Sequence, residues 1–320
     1  MPASHPDPST SPRASQPARP LLSVAICTHN RSLATARCLA GLGAPRSDID
    51  ILIIDSGSNA IEAEAIERIS TRFGAQHIRL AAMGLSAARN AALAASHGTW
   101  IAYLDDDATP APDWVEVLTR SIAQDPDIAA MGGSILPQFQ SRLPSWWPPS
   151  LRAVLTIIDT VKPDDPGAAD TEPYAANIAF RRDILTRFGG FPACLGRHGV
   201  RLLSNEETYI IRRLRRARLK VRFNPHLVVH HEIARERLQP AWLIDRQYWS
   251  GVSEAVMLGA LAEPRARKAW RMAAHTILLA PLLFWPKSST ALLTLRCTAA
   301  FAAGFVHGIL TDAPDRVHSA

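Results

Sequence analysis

Three consecutive carboxylates, Asp105-Asp106-Asp107, follow the run Thr99-Trp100-Ile101-Ala102-Tyr103-Leu104. The run suits a buried strand, so the acids fall where that strand meets its loop. Adjacent carboxylates repel at pH 7, and packing them into a cleft requires a cation or hydrogen-bond donors to offset them. Asp105 and Asp107 have the period-two spacing that points side chains the same way from extended backbone. Oxygen ligands so placed suit magnesium or manganese bridging to phosphate oxygens. A solvated acidic turn is the plain alternative. A calcium loop is a second, since Asp105, Asp107, Thr109 and Glu116 fall at positions one, three, five and twelve. Pro110 stands where that loop needs glycine and argues against it.

The elements around the acids limit these readings. Strand patterns at 22–27, 49–54, 77–80 and 99–104 alternate with helical patterns at 32–42, 61–73 and 86–96, with Ser32 and Ser86 as helix caps. Such alternation implies a parallel sheet of right-handed βαβ units, whose ligands lie beyond the carboxyl ends of the strands. Thr28-His29-Asn30-Arg31, Asp55 and Asp105-Asp106-Asp107 all fall on that rim. Three polar clusters from separate segments would not converge there if each were only a solvated turn.

Length and composition set the outer bounds. The 320 residues are 47% hydrophobic, enough for a good core. A net charge of +6 suits anionic ligands or an anionic membrane without demanding nucleic acid. Cys27, Cys38, Cys194 and Cys297 are scattered, which argues against zinc and fits a reduced cytoplasmic setting. Residues 1–20 carry six prolines among Ser, Ala and Arg, and are expected to be disordered, with no secretory signal.

In order along the chain, the motifs resemble those of the family 2 glycosyltransferases, nucleotide-sugar enzymes of GT-A fold. Val24-Ala25-Ile26-Cys27-Thr28-His29-Asn30-Arg31 looks like the opening strand and nucleotide-contacting loop. Ile53-Ile54-Asp55-Ser56-Gly57-Ser58 is similar to the second strand, and Gly84-Leu85-Ser86-Ala87-Ala88-Arg89-Asn90 to a segment near the donor. Leu104-Asp105-Asp106-Asp107 matches the DxD element. The resemblance covers residues 21–251, with 21–136 as donor half and 137–251 as acceptor half. It implies a divalent cation, Mn or Mg, on Asp107, with Thr28, Asn30, Arg31, Asp55, Arg89, Asn90, Asp105 and Asp106 on the donor side. Asp55 would face the nucleobase and Arg89 the diphosphate. Asn90 has a second role open to it, bracing the DxD loop.

The acceptor half continues the resemblance. Tyr174-Ala175-Ala176-Asn177-Ile178-Ala179-Phe180-Arg181-Arg182 looks like the family's G-x-N-x-x-F-R-R strand. Asn205-Glu206-Glu207 falls where the family carries an E-D pair, whose second acid is the expected catalytic base. That acid maps to Glu207, with Glu206 beside it. Two acids favoured by a helix N-terminus are the structural alternative. His231 completes the metal or diphosphate site, with His230 as runner-up, and Arg235 and Arg237 either close over the donor phosphates or are exposed. Trp146 and Trp147 read as an acceptor-binding aromatic platform or as a hydrophobic anchor, and Asn177 as an acceptor contact. The basic run from Arg212 to Arg222 reads as a solvated helix face, and no nucleic-acid module accompanies it.

The segment 252–320 is apolar from Trp270 onward. Residues 291–310 would just span a bilayer, but Arg296 and His307 interrupt them. Arg265, Arg267, Lys268 and Arg271 precede the apolar part, an order that suits helices lying on the inner face of the cell membrane. Together these features predict a metal-dependent inverting transferase moving a sugar from a nucleotide-diphosphate donor to a glycan or lipid-linked acceptor. A nucleotidyltransferase and a non-catalytic glycan- or membrane-binding module are the rival readings.

Overall fold

The computed structural model describes residues 20–44, 46, 48–162, 164–165, 167–266 and 289–311. The tail expected at 1–19, the basic residues Arg267, Lys268 and Arg271, and the apolar stretch 278–285 lie outside the described residues.

Eight strands form one sheet: β1 Leu22–Thr28, β2 Ile49–Ser56, β3 Gln76–Leu80, β4 Trp100–Asp105, β5 Ala108–Pro110, β6 Ile128–Phe139, β7 Asn177–Arg181 and β8 Lys220–Ile233. Their order is β3-β2-β1-β4-β7-β6-β8-β5. The first four strands are parallel, as the βαβ pattern predicts. β7 runs antiparallel between β4 and β6, so the donor and acceptor halves share a single mixed sheet.

Period-two alternation divides the core. Leu22, Val24, Ile26, Ile51, Ile53, Trp100, Ala102 and Leu104 pack on one face. There they meet α1 Ser32–Gly41, α2 Ala60–Arg72 and α4 Trp114–Gln124. Ala25, Leu52, Ile54, Ile101 and Tyr103 face the other way. They pack on α3 Leu85–Ala95, α5 Arg182–Arg187 and α6 Glu206–Arg216. Neither serine expected to cap a helix does so. Ser32 lies in the first turn of α1, where its N–H donates to Glu62 (2.8 Å), and Ser86 lies inside α3, donating to the Leu195 carbonyl (2.7 Å).

Among the described residues two long helices follow the sheet, α7 Pro240–Ala260 and α8 Ser289–Thr311. α7 runs through residue 251 without a break, so the expected boundary there falls within a helix. α7 and α8 cross at glycines. A Cβ on Gly251 would stand 2.0 Å from the Phe301 carbonyl oxygen, and one on Gly304 would stand 1.9 Å from that of Tyr248.

The basic run after Glu207 is largely tied down. Arg212 and Arg216 pair with Glu263, Arg215 with Glu172, Lys220 with Asp125 and Arg222 with Asp170.

Candidate active site

Strand register assembles the site. Cys27 is level with Asp105 across β1 and β4, and Thr28 is level with Asp55 across β1 and β2. The antiparallel pairing of β5 with β8 sets Ala108 opposite His231 and brings Asp107 against that imidazole. The Glu232 N–H donates to the Asp107 carbonyl (2.8 Å) and fixes the turn. A cleft of about 330 Å³ results, lined by Asp105, Asp106, Asp107, Glu206, Glu207 and His231 with five arginines.

Each acid of the triplet has its own partners. Asp105 accepts from Arg89 Nη2 (3.1 Å). Asp106 accepts from Thr28 Oγ1 (2.8 Å) and Arg31 Nη1 (2.9 Å), while Thr35 donates to Thr28 (3.0 Å). Burial and the neighbouring charge of Asp107 push the Asp106 carboxyl up to about 6, against the pull of Arg31. Asp107 is bounded by Arg31 (2.9 Å), Arg237 (3.0 Å) and His231 Nε2 (3.3 Å). Burial alone would raise it, but His231, Arg237 and Arg31 together hold it well below the usual carboxylate range.

Glu206 and Glu207 open α6, preceded by Asn205 in a left-handed conformation (φ 73°). They differ in their surroundings. Glu206 Oε1 pairs with the buried Arg89. Burial alone would lower the Arg89 charge, but Glu206 and Asp105 outweigh it and keep the guanidinium firmly protonated. Glu207 Oε1 accepts only a long bond from the Ala175 N–H (3.3 Å), and its buried Oε2 has no hydrogen-bond partner. Burial, reinforced by Glu206, pushes the Glu207 carboxyl up to about 7.

The other expected site residues divide into two groups. Thr28 and Arg31 line the cleft, whereas Asn30, Asp55, Asn90, Trp146, Trp147 and Asn177 do not. Asn30 accepts from the Asn59 N–H (2.8 Å) and holds two turns together. Asp55 is fully buried; its Oδ1 caps the Ser58 N–H (2.9 Å), and its Oδ2 has no hydrogen bond. Asn90 exchanges two 2.8 Å bonds with the Phe191 backbone, so it braces that turn rather than the DxD loop. Asn177 accepts from Trp114 Nε1 (2.9 Å) and donates to the carbonyls of Ser134 (3.1 Å) and Leu227 (2.7 Å), a buried structural knot. Trp146 and Trp147 stack on each other and pack with Leu155, Leu243 and Leu293, which is the anchor role.

Two cleft cations were not singled out from sequence. Arg197 follows Gly196 in a loop, and Arg246 lies on α7. Arg246 Nη1 donates to the neutral Leu202 carbonyl (3.2 Å) and Ser250 Oγ (3.1 Å). Burial and the charge of Arg197 lower it to about 10. Its only sequence signal is a charge inside the apolar helix Pro240–Ala260.

Comparison with known proteins bears on this geometry. The model of the glycosyl transferase family 2 matches residues 23–188, more than half of the chain. The chain belongs to glycosyl transferase family 2. This glycosyltransferase is 27% identical over 220 residues to the glucosyl-dolichyl phosphate glucuronosyltransferase of Haloferax volcanii, covering 65% of this chain and 67% of the relative. It is 28% identical over 258 residues to the succinoglycan biosynthesis protein ExoM of Rhizobium meliloti, covering 79% of each. In fold, the glycosyltransferase is similar to a mannosyltransferase of Pyrobaculum calidifontis solved with GDP-Man and Mn2+ (TM-score 0.63, 19% identity, 93% of this chain and 89% of the other). The GT-A expectation is met.

Proposed function

We propose that the enzyme transfers a sugar, with inversion, from a nucleotide-diphosphate donor to a hydroxyl of a glycan or lipid-linked acceptor. The observation that carries this reading is the asymmetry of the two glutamates. Arg89 neutralises Glu206, while Glu207 keeps a partnerless carboxylate oxygen in the same cleft as the aspartate triplet. A carboxyl pushed up to about 7 is suited to accepting a proton near neutral pH.

In this account Glu207 Oε2 takes the proton of the acceptor hydroxyl as its oxygen attacks the anomeric carbon from the face opposite the leaving diphosphate. One displacement inverts the configuration. Glu206 and Arg89 position Glu207 from behind, and Arg89 also fixes Asp105. Arg197, Arg237 and Arg246 supply positive charge for the diphosphate.

The donor set fits a divalent cation. Asp107 and His231 Nε2 converge in the cleft, and the buried His231 Nδ1 has no partner of its own. Carboxylate with imidazole suits manganese, with magnesium as the harder alternative. Asp107 and His231 would hold the ion, with Asp105 toward the nucleoside. The bound ion would stabilise charge on the leaving diphosphate. The Pyrobaculum protein's complex with GDP-Man and Mn2+ supports both components, and the Haloferax and Rhizobium relatives support a lipid-linked or polysaccharide acceptor.

We place the enzyme at the inner face of the cell membrane. Thr290–Thr311 is long and apolar enough to cross a bilayer, with 33% of its apolar window buried. Gly304 packs against Tyr248, and His307 bonds the Tyr248 hydroxyl, so this face is committed to α7. Val306 and Leu310 are exposed, which favours a helix lying on the surface.

The test is a panel of nucleotide sugars with acceptor extracts, run with manganese or with chelator while free nucleoside diphosphate is measured. Release that requires metal and acceptor, with an inverted anomer by NMR, is expected. Pyrophosphate release would favour a nucleotidyltransferase, and no release from any donor would favour a binding module.

A further inference from the structure

The arginines that neutralise Asp107 occupy the carboxylate proposed to hold the cation. Arg31 Nη1 and Arg237 Nη2 both reach Asp107 Oδ2, at 2.9 and 3.0 Å. Arg237 Nη1 also lies 3.3 Å from His231 Nε2, the nitrogen that faces Asp107 Oδ1 at the same distance. Both groups of the proposed cation site are therefore engaged by guanidinium. Asp107 and His231 are almost fully buried, so the desolvated Asp107 carboxylate cannot be left unpaired cheaply.

We infer that Arg31 and Arg237 are exchange partners: they hold Asp107 before the donor binds and pass to the donor diphosphate when cation and nucleotide load together. The inference rests on the metal-dependent reading above. A cation arriving alone must displace or crowd two guanidinium groups, and among the described residues Arg237 pairs with no carboxylate but Asp107. Arg31 already shares its Nη1 with Asp106, which keeps it in place as it leaves Asp107. A diphosphate supplies the missing anion, and planar guanidinium matches phosphate oxygens well. Because binding free energies are linked, nucleotide must then tighten cation binding, and cation must tighten nucleotide binding by the same factor. Arg197 and Arg246 line the same cleft without contacting Asp107, so they add field but take no part in the exchange.

The experiment titrates full-length protein with Mn2+ and follows the free-ion EPR signal, with no turnover involved. Titrations are run without nucleotide, with GDP and with UDP, against protein-free mixtures that account for metal bound by nucleotide alone. Arg237→Ala, Arg31→Ala and the control Arg215→Ala, whose pair with Glu172 lies outside the cleft, are compared with wild type after thermal melts confirm folding; Arg31 is 40% exposed and is the safer variant. Wild type should bind Mn2+ weakly alone and about tenfold or more tightly with a matching nucleotide, within the usual range of coupling. Arg237→Ala and Arg31→Ala should bind Mn2+ alone more tightly than wild type, with a smaller nucleotide effect, while Arg215→Ala should leave that effect near wild type. Unchanged or weaker Mn2+ binding in the first two, or equal tightening in Arg215→Ala, would overturn the exchange while leaving the metal reading intact. No Mn2+ binding by wild type in any mixture would remove the metal reading itself, and the exchange with it.

Discussion

Arg89 holds Glu206 in a buried ion pair that ties α3 to the first turn of α6 across the cleft. Its other arm reaches Asp105 (3.1 Å), and its guanidinium lies 5.5 Å from the Phe191 ring centroid. One cation thus joins the aspartate triplet to the acidic pair, and Glu206 is spent as its counter-ion. Removing one member of a buried pair leaves the other charge uncompensated, at about 3–5 kcal/mol. Arg89→Met should cost that much by urea denaturation. Arg89→Met with Glu206→Gln should cost clearly less than the sum of the two, because neither charge is then stranded.

Glu207 gives a pH prediction. As a base it must be ionised, so kcat should rise through about pH 7 and level off above it. The sign for stability is opposite. The unfolded carboxyl titrates near 4.5 and the folded one near 7, so ionisation costs nothing below 4.5, costs progressively more between, and costs in full above 7. Glu207→Gln lacks this penalty. It should be more stable than wild type at pH 8 by about 3 kcal/mol, with the advantage gone at pH 4.5. Thermal melts at the two pH values check this.

Glu254 on α7 braces the loop that leads into α6 and Glu207. Asn205 donates to its carboxylate (3.2 Å), and Ser253 Oγ accepts from the Ser204 N–H (2.9 Å). Glu254→Ala should lower kcat about tenfold while donor affinity stays within about twofold, since misplacement affects the reacting geometry rather than nucleotide binding. Steady-state kinetics with direct donor titration separates the two effects.

The glycine crossing of α7 and α8 should tolerate no side chain. Gly304→Val must push the helices apart against the Tyr248 carbonyl and should cost about 1–3 kcal/mol or more. Thermal melts should show the loss, whereas the exposed Val306→Ala should melt near wild type.

The donor-side strands were legible because period-two alternation and β-branched runs report burial directly. The triplet, Glu207 and His231 were singled out by motif order, and the fold brings them to one cleft. Partners were not. Arg89 reads as a phosphate ligand because it sits near a helix start, but its counter-ion lies 117 residues away, and local pattern cannot report such a pairing. Asn177 and Trp147 fit functional motifs by type and turn out to be a buried hydrogen-bond knot and a packing anchor. Burial decides between those roles, and it depends on how β6, β8, α7 and α8 come together.

The central claim is that Glu207 removes the acceptor proton while Glu206 serves as counter-ion. The most direct test measures donor binding and sugar transfer in parallel for wild type, Glu207→Gln and Glu206→Gln, using the donor that the panel identifies. Glu207→Gln should bind donor as wild type does and lose about 10²–10⁴-fold in transfer, the usual contribution of a positioned base. Glu206→Gln should lose less transfer and more stability. Near-wild-type transfer by a folded, donor-binding Glu207→Gln enzyme would contradict the account.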